Sequence, residues 1–434
     1  MSVTVQNDIQ SLLKINYRDL FVDSLFQDTV LFDLIPKYSG DVRGQSFNHA
    51  VELTRSHGGG ARNAGEFLPV DYPETFTQSQ VNLARWYWTI SIDGFAIEMF
   101  KKGDGSFVDY LDLRMRNAQR DASNELNRIC HMDGTGVLAR LTTGTTAVTA
   151  GSNITVTHPW GYSFGGPQFF EEGDSVVLMD PANTANTLTA RITAVDWTNN
   201  AIQIDKNLPA TFPADSIFVS GDDFGNSYTK EATGLRGIIA DGTTTDQVGN
   251  TITTVQNIPC TTNRRWRSSI VDTTAAPVAY DWTHITRLVA AAQYKGSTKP
   301  GNLVLLMHPA MLEEHQRLVD PDIRYEATAG TFSKNLMTPT FNVLGQQVPV
   351  RTTTRCGFQE VICINTSELE RIELRPMDWD DTDGATLKQL QGKDAAYAYM
   401  RYYWGVAARS LNHFSKHDGI QVDSTFVRMI SETA

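Results

Sequence analysis

The chain lacks long apolar runs, paired cysteines and a surplus of positive charge. None of its 434 residues falls in a stretch near the ~20 apolar residues a membrane-spanning helix needs, so no helical membrane span is expected. Cys130, Cys260, Cys356 and Cys363 are scattered with no C-x-x-C spacing. That excludes a disulfide framework and a cysteine zinc knuckle, and it suits reduced thiols in a cytoplasm. Basic residues number 37 against 49 acidic ones, a net charge of −12. A protein that grips nucleic acid tightly by its phosphates carries the opposite balance. There is no H-E-x-x-H, no Walker loop and no dinucleotide fingerprint after a strand, so no metal or cofactor is expected. Met1–Asp8 shows no basic region leading into an apolar one, so the chain is expected to stay in the compartment where it is made.

What is present is an uneven but folded chain, with 41% hydrophobic and 20% charged residues and enough length for two to four domains. Leu12, Leu13, Tyr17, Leu20 and Phe21 recur at helical spacing before Pro36. Phe47–Leu53 alternates like a strand. His57-Gly-Gly-Gly-Ala-Arg-Asn-Ala-Gly-Glu66, followed by Pro69 and Pro73, cannot hold a helix or a central strand. Trp86, Trp88, Ile90 and Ile92 then alternate with polar neighbours, so the stretch 45–93 reads as one long antiparallel hairpin with an extended tip. Ser106 and Asp109 make a capping box, and Leu111, Met115, Ala118, Ala122, Leu126 and Ile129 form one apolar stripe behind it. The helix closes on Asp133-Gly-Thr-Gly-Val-Leu138.

Thr, Gly and Asn dominate 143–232, where short strands at regular spacing predict a small β-barrel or sandwich. An α/β pattern resumes at Gly234. Asp281 is expected to cap a helix through Ile285, Leu288, Val289 and Ala292, and Leu303–Met307 to form a buried strand. His308-Pro309 opens another helix.

Motifs that suggest chemistry lack the surroundings chemistry needs. Gly161-Tyr-Ser-Phe-Gly165 matches the nucleophile elbow of hydrolases, with Ser163 in the nucleophile position. Gly165-Gly166-Pro167 forbids the helix that should follow. Asp378-Trp-Asp-Asp-Thr-Asp-Gly384 fails the calcium-loop register and reads as an acidic surface turn. His413-Phe-Ser-Lys-His417 reads as structural or interfacial. Arg264-Arg-Trp-Arg267 is the one dense basic spot, and reads as a loop making ion pairs to an acidic neighbour.

An arm, a long hairpin, a capped helix closing on Asp133-Gly-Thr-Gly-Val-Leu138, a β insertion and an α/β region together resemble the major capsid proteins of tailed bacteriophages, which share the Hong Kong 97-like fold. The phrases carrying the likeness are that one, Gly234-Leu-Arg-Gly-Ile238, Leu303-Val-Leu-Leu-Met-His-Pro309 and Val343-Leu-Gly-Gln-Gln-Val-Pro-Val350. The resemblance implies an α+β fold with an N-arm at 1–38 and an E-loop at 39–100. A peripheral domain with a spine helix follows at 101–142, a β-barrel-like insertion domain at 143–232, an axial domain at 233–390 and a return to the peripheral domain at 391–434. It implies a non-enzymatic protein that self-assembles as hexamers and pentamers into an icosahedral head around double-stranded DNA, in a host bacterial cytoplasm and without membrane contact.

Implied partners are copies of itself, a scaffolding protein, a portal protein, in some members a decoration protein, and weakly held DNA. Intersubunit contacts are expected at Arg62, Glu66, Asp71 and Glu74 on the E-loop tip, and at Arg114, Arg120 and Arg128 on an exposed face of the spine helix. Hinges are expected at Gly103, Gly134 and Gly234. Two other classes compete: a glycan- or receptor-binding virion protein using 143–232, and a serine hydrolase using Ser163.

Overall fold

The computed structural model describes residues 28–95, 110–144, 147–162, 164–296, 302–319, 340–344, 346–382, 386–389 and 392–423. Most of the 1–38 segment, Gly103, the Ser106–Asp109 capping box and Ser163 therefore lie outside the described residues.

The chain enters through a short helix, α1 (Val30–Leu34), and then forms β1 (Ser46–Thr54) and β2 (Thr75–Asn82). These pair antiparallel from Ser46↔Asn82 to Thr54↔Thr75. The hairpin ends there. β3 (Ala84–Asp93), expected as its continuation, pairs instead with β20 (Ala395–Ala408), from Ala84↔Trp404 to Asp93↔Ala395. The alternation of Trp86, Trp88, Ile90 and Ile92 gave the strand correctly but could not say which partner its buried face would meet.

Helix α2 (Tyr110–His131) lays Ala118 and Ala122 on Ile90, Ala398 and Met400 of that sheet. Beyond α2 the chain forms β4 (Val137–Leu141), β5 (Ile154–Thr157), β6 (Ser175–Asp180), β7 (Asn183–Asp196), β8 (Ala201–Ile204), β9 (Ile217–Asp222) and β10 (Gly225–Asn226). Their order is β10-β9-β4-β5-β8-β7-β6, and β6 also pairs with β9, so the sheet closes on itself as a barrel. The barrel takes its first strand from before residue 143. Its interior holds Leu138, Phe170, Leu178, Ile192, Ile202 and Phe218. Closure removes sheet edges that would otherwise template aggregation.

α3 (Leu235–Ile238) and the small β11 (Thr254–Val255) and β12 (Ile258–Pro259) pair lead into a six-stranded mixed sheet. Its strands are β13 (Ser269–Asp272), β14 (Leu303–Met307), β15 (Thr340–Val343), β16 (Gln346–Thr352), β17 (Glu360–Asn365) and β21 (Ser415–Asp418), in the order β13-β21-β17-β14-β16-β15. Helix α4 (Trp282–Lys295) begins where Asp281 accepts a hydrogen bond from the Thr283 amide. Helix α5 (Pro309–Val319) opens on proline. β14 is buried on both faces: Leu303, Leu305 and Met307 meet Ile285, Leu288 and Val289 of α4, while Val304 and Leu306 face the central core with Leu126 and Trp404. That two-sided burial is why the strand reads as a continuous apolar run.

β18 (Leu369–Trp379) and β19 (Lys388–Gln389) complete the sheet around β20. The acidic stretch, expected as a surface turn, is exposed at Asp378 and Asp381 but not at Asp380. Asp380 is buried and held by Arg375 at 3.8 Å, Lys388 at 2.6 Å and Arg401. Burial opposes its ionisation, but hydrogen bonds from Lys388, Thr382, Tyr399 and Arg401 hold the carboxyl far below the usual range.

Candidate functional site

Two features stand out: a projecting arm with no core of its own, and a charged joint buried where helix, barrel and mixed sheet meet. In the arm, residues 55–74 carry no helix or strand between β1 and β2. The tip is braced by short-range polar bonds. Asn63 donates its amide and side chain to the Glu66 carboxylate at 3.0 Å each, Arg62 Nε donates to Phe67 O at 3.1 Å, and Ser56 donates to Asp71 at 3.3 Å. The bonds from Asn63 lower the Glu66 carboxyl below its ordinary value.

Three of the four charged residues singled out at the tip are thus engaged within the tip itself, and Glu74 is exposed with no partner among the described residues. What the tip presents is apolar. Phe67 is 96% exposed and Leu68 85%, with Val70, Tyr72 and Phe76 exposed beside them. The run Phe67-Leu68-Pro69-Val70 inside the glycine-rich tip carries that signal in the sequence. Contiguous apolar surface of this kind marks a contact site.

Helix α2 differs from expectation at its far end. From Leu126 to Met132 every residue is buried, because the helix runs into the middle of the molecule and is covered on all sides. Arg128 is therefore 1% exposed and not on a free face. Its guanidinium donates to Glu125 at 2.6 Å and Glu231 at 2.5 Å. Burial pushes the Glu231 carboxyl up against the pull of Arg128. Arg120 is half-buried and paired with Asp121 at 2.7 Å, and only Arg114 of the three is exposed. The same helix secures the incoming chain. Asn127 accepts from the amides of Leu31 and Phe32, Asn124 accepts from the Asp28 amide at 3.0 Å, and Asp28 in turn accepts from Thr353 at 2.7 Å.

At the joint, Asp133 accepts from the Thr135 amide at 2.9 Å and the Gln247 amide at 2.6 Å, fixing the turn that leaves α2. Gly134 lies at φ +92°, where a side chain is strained. Gly234 is needed for a different reason: a Cβ there would sit 2.4 Å from the carbonyl oxygens of Ile129 and Cys130. Two residues on, Arg236 is buried. It donates to Asp418 at 3.1 Å and to Glu360 and the Tyr162 hydroxyl, and stacks 4.1 Å over Trp160. Tyr162 donates to Asp418 at 3.0 Å, and Lys416 pairs with Asp418 at 2.8 Å. Two cations and two carboxylates balance, and they tie the loop after β5 to α3, β17 and β21. In the sequence Arg236 is only part of a phrase, and partners 124 and 182 positions away are not legible in one chain.

Neighbouring His158 is held well below its ordinary range, first by burial and then by Arg236, and its Nε2 sits 3.2 Å from Gln168 Oε1. No helix follows the Gly161–Gly165 run, so the strand-turn-helix that activates an elbow serine is missing. His417 lies against His284 at 4.6 Å. Trp266 in the basic spot is buried and donates to Val255 O at 3.1 Å, while Arg267 donates to the carbonyls of Cys260 and Thr261 rather than to a carboxylate. A groove of about 1270 Å³ between β3, α2 and the barrel is lined by Trp86, Trp88, Glu125, Asp174, Phe224 and Arg355.

No family model matches the sequence, and no curated protein matches it either. Solved structures do. The chain aligns with the cyanophage A-1(L) capsid asymmetric unit over 95% of its own length and 99% of that chain, with TM-score 0.55 and 12% identity. It aligns with the capsid of an empty GTA particle over 94% and 96%, with TM-score 0.52 and 10% identity. The capsid of a native GTA particle aligns over 96% and 98%, again at 0.52 and 10%. The architecture is the α+β, Hong Kong 97-like fold of these capsid proteins.

Proposed function

We propose that this chain is a major capsid protein of the tailed-phage type, which assembles as hexamers and pentamers into an icosahedral shell around double-stranded DNA. The observation that carries the reading is the arm: on a fold shared with capsid subunits, a hairpin projects a tip whose largest side chains are apolar and uncovered. Such a tip gains its burial from another molecule. The occupant we assign is a second copy of the chain, with the aromatic-walled groove beside α2 as the receiving surface.

In this reading the arm is the E-loop, α2 the spine helix, the barrel an insertion domain, and the mixed sheet with α4 and α5 the axial domain. Each subunit is stapled to several neighbours, so modest contacts multiply through avidity. Gly134 and Gly234 mark the joint about which the axial part would turn during shell maturation. A scaffolding protein, a portal protein and weakly held DNA complete the partner set, with assembly in the host cytoplasm and the product in the virion.

Electron microscopy and sedimentation of the purified chain, alone and with a co-expressed scaffolding protein, test this. Closed shells or ring-shaped capsomers are the expected result. A compact monomer at high concentration under both conditions, with the tip folded onto its own body, would overturn it.

A further inference from the structure

One stripe of α4 faces a second cavity. His284, Arg287, Leu288, Ala291 and Lys295, spaced for one helix face, close it from one side, and β13 with His417 of β21 closes it from the other. Its volume is about 350 Å³. Three fixed cations line it, Arg267, Arg287 and Lys295, against one carboxylate, Asp241.

Asp241 is largely spent: one oxygen accepts from the amides and hydroxyls of both Thr243 and Thr244, at 2.8–3.1 Å. Asp272 and Asp281 flank the cavity without lining it, and each is likewise turned into its own loop, accepting from Thr274 and Thr283. Arg287 and Lys295 are exposed and make no hydrogen bond or ion pair with any described residue. On the cavity floor His417 is held down to about 4 chiefly by burial, with His284 and Arg287 lowering it further against the pull of Asp418 and Asp272. In a chain of net charge −12, a concave site with two unpaired cations is an outlier.

We infer that this cavity binds a phosphate group, with Arg287 and Lys295 as the ligating cations and the His284–His417 pair beneath it. A guanidinium offers paired donors matched to a phosphate, and an ammonium adds a point charge. The cavity is too small for a folded element of a partner. The source is either free phosphate or a phosphodiester of nucleic acid. This site lies away from the arm and does not rest on the assembly reading.

The test uses the full-length, unassembled chain. Calorimetric titration with inorganic phosphate should show saturable binding. Arg287→Gln/Lys295→Gln should weaken it about tenfold or more, as loss of charge-assisted hydrogen bonds requires. Arg264→Gln/Arg265→Gln, at exposed positions outside the cavity, should leave it unchanged, and all variants should melt alike. Phosphate should also raise the titration midpoint of His417 by NMR. In parallel, anisotropy of a labelled DNA duplex identifies the source. A salt slope smaller by about 1 per lost phosphate contact in the cavity variant assigns the site to nucleic acid. Phosphate binding that falls while duplex binding stays level assigns it to the free anion. Absence of phosphate binding, or equal binding by the cavity variant, would overturn the inference.

Discussion

Arg236 sits where burial makes charge costly, and its neighbours compensate it. Removing one partner of a buried ion pair leaves the other unpaired, at roughly 3–5 kcal/mol. Arg236→Met should therefore lower the unfolding free energy from urea titration by about that much, because Glu360 and Asp418 then face only Lys416. A loss under 1 kcal/mol would show that the network is not a structural lock. Asp174 works in the other direction. Burial, with Glu171 and Glu125 nearby, lifts its carboxyl to about 6 from 3.8. Its favourable contribution is full below pH 3.8 and lost as pH rises through 6. Asp174→Asn keeps the oxygen that accepts from the Glu171 amide and should stabilise the chain above pH 7 by about 1–2 kcal/mol, after allowance for partial exposure. No gain at pH 8 would contradict this.

At the scale of elements, the arm divides into a paired stem and an unpaired tip. Phe67→Asp with Leu68→Asp removes apolar surface that touches no core in the subunit, so the melting temperature should move by less than about 2 °C. Assembly should fail, because the lost surface is the surface that meets the next copy. Shells of normal yield from this variant would refute the role given to the tip. Glu66→Ala is the informative contrast: its bonds run to Asn63 within the tip, so it should loosen the tip and slow assembly without abolishing it.

For the molecule as a whole, acid is the vulnerable side. His131 is held to about 4, His308 to about 3 and His417 to about 4, each chiefly by burial. Unfolding frees them to titrate near 6.5, so the unfolded state binds more protons as pH falls below that value. Between pH 6.5 and 4 each contributes up to about 3 kcal/mol, and their sum exceeds the opposite term from Asp174. Stability measured by urea titration should fall steadily from pH 6.5 to 4. A flat profile across that window would show these imidazoles to be solvated.

Single-chain periodicity settled whatever depends on neighbours three or four residues away. The stripe through Ala118, Ala122, Leu126 and Ile129, the Asp281 cap, the buried Leu303–Met307 strand and the short strands of the barrel all follow from local spacing and local hydrogen bonds. Glycine and proline likewise marked the arm, since backbone freedom is a property of the residue. Tertiary structure alone decided the rest. It gave β3 to β20, sank Arg128 into the centre, turned Asp380 inward onto Arg401, and brought Tyr162, Arg236, Glu360 and Asp418 together. The reason is common to all four. A charge or a strand edge takes its environment from partners far along the chain, and a residue's own type says only that some partner is required.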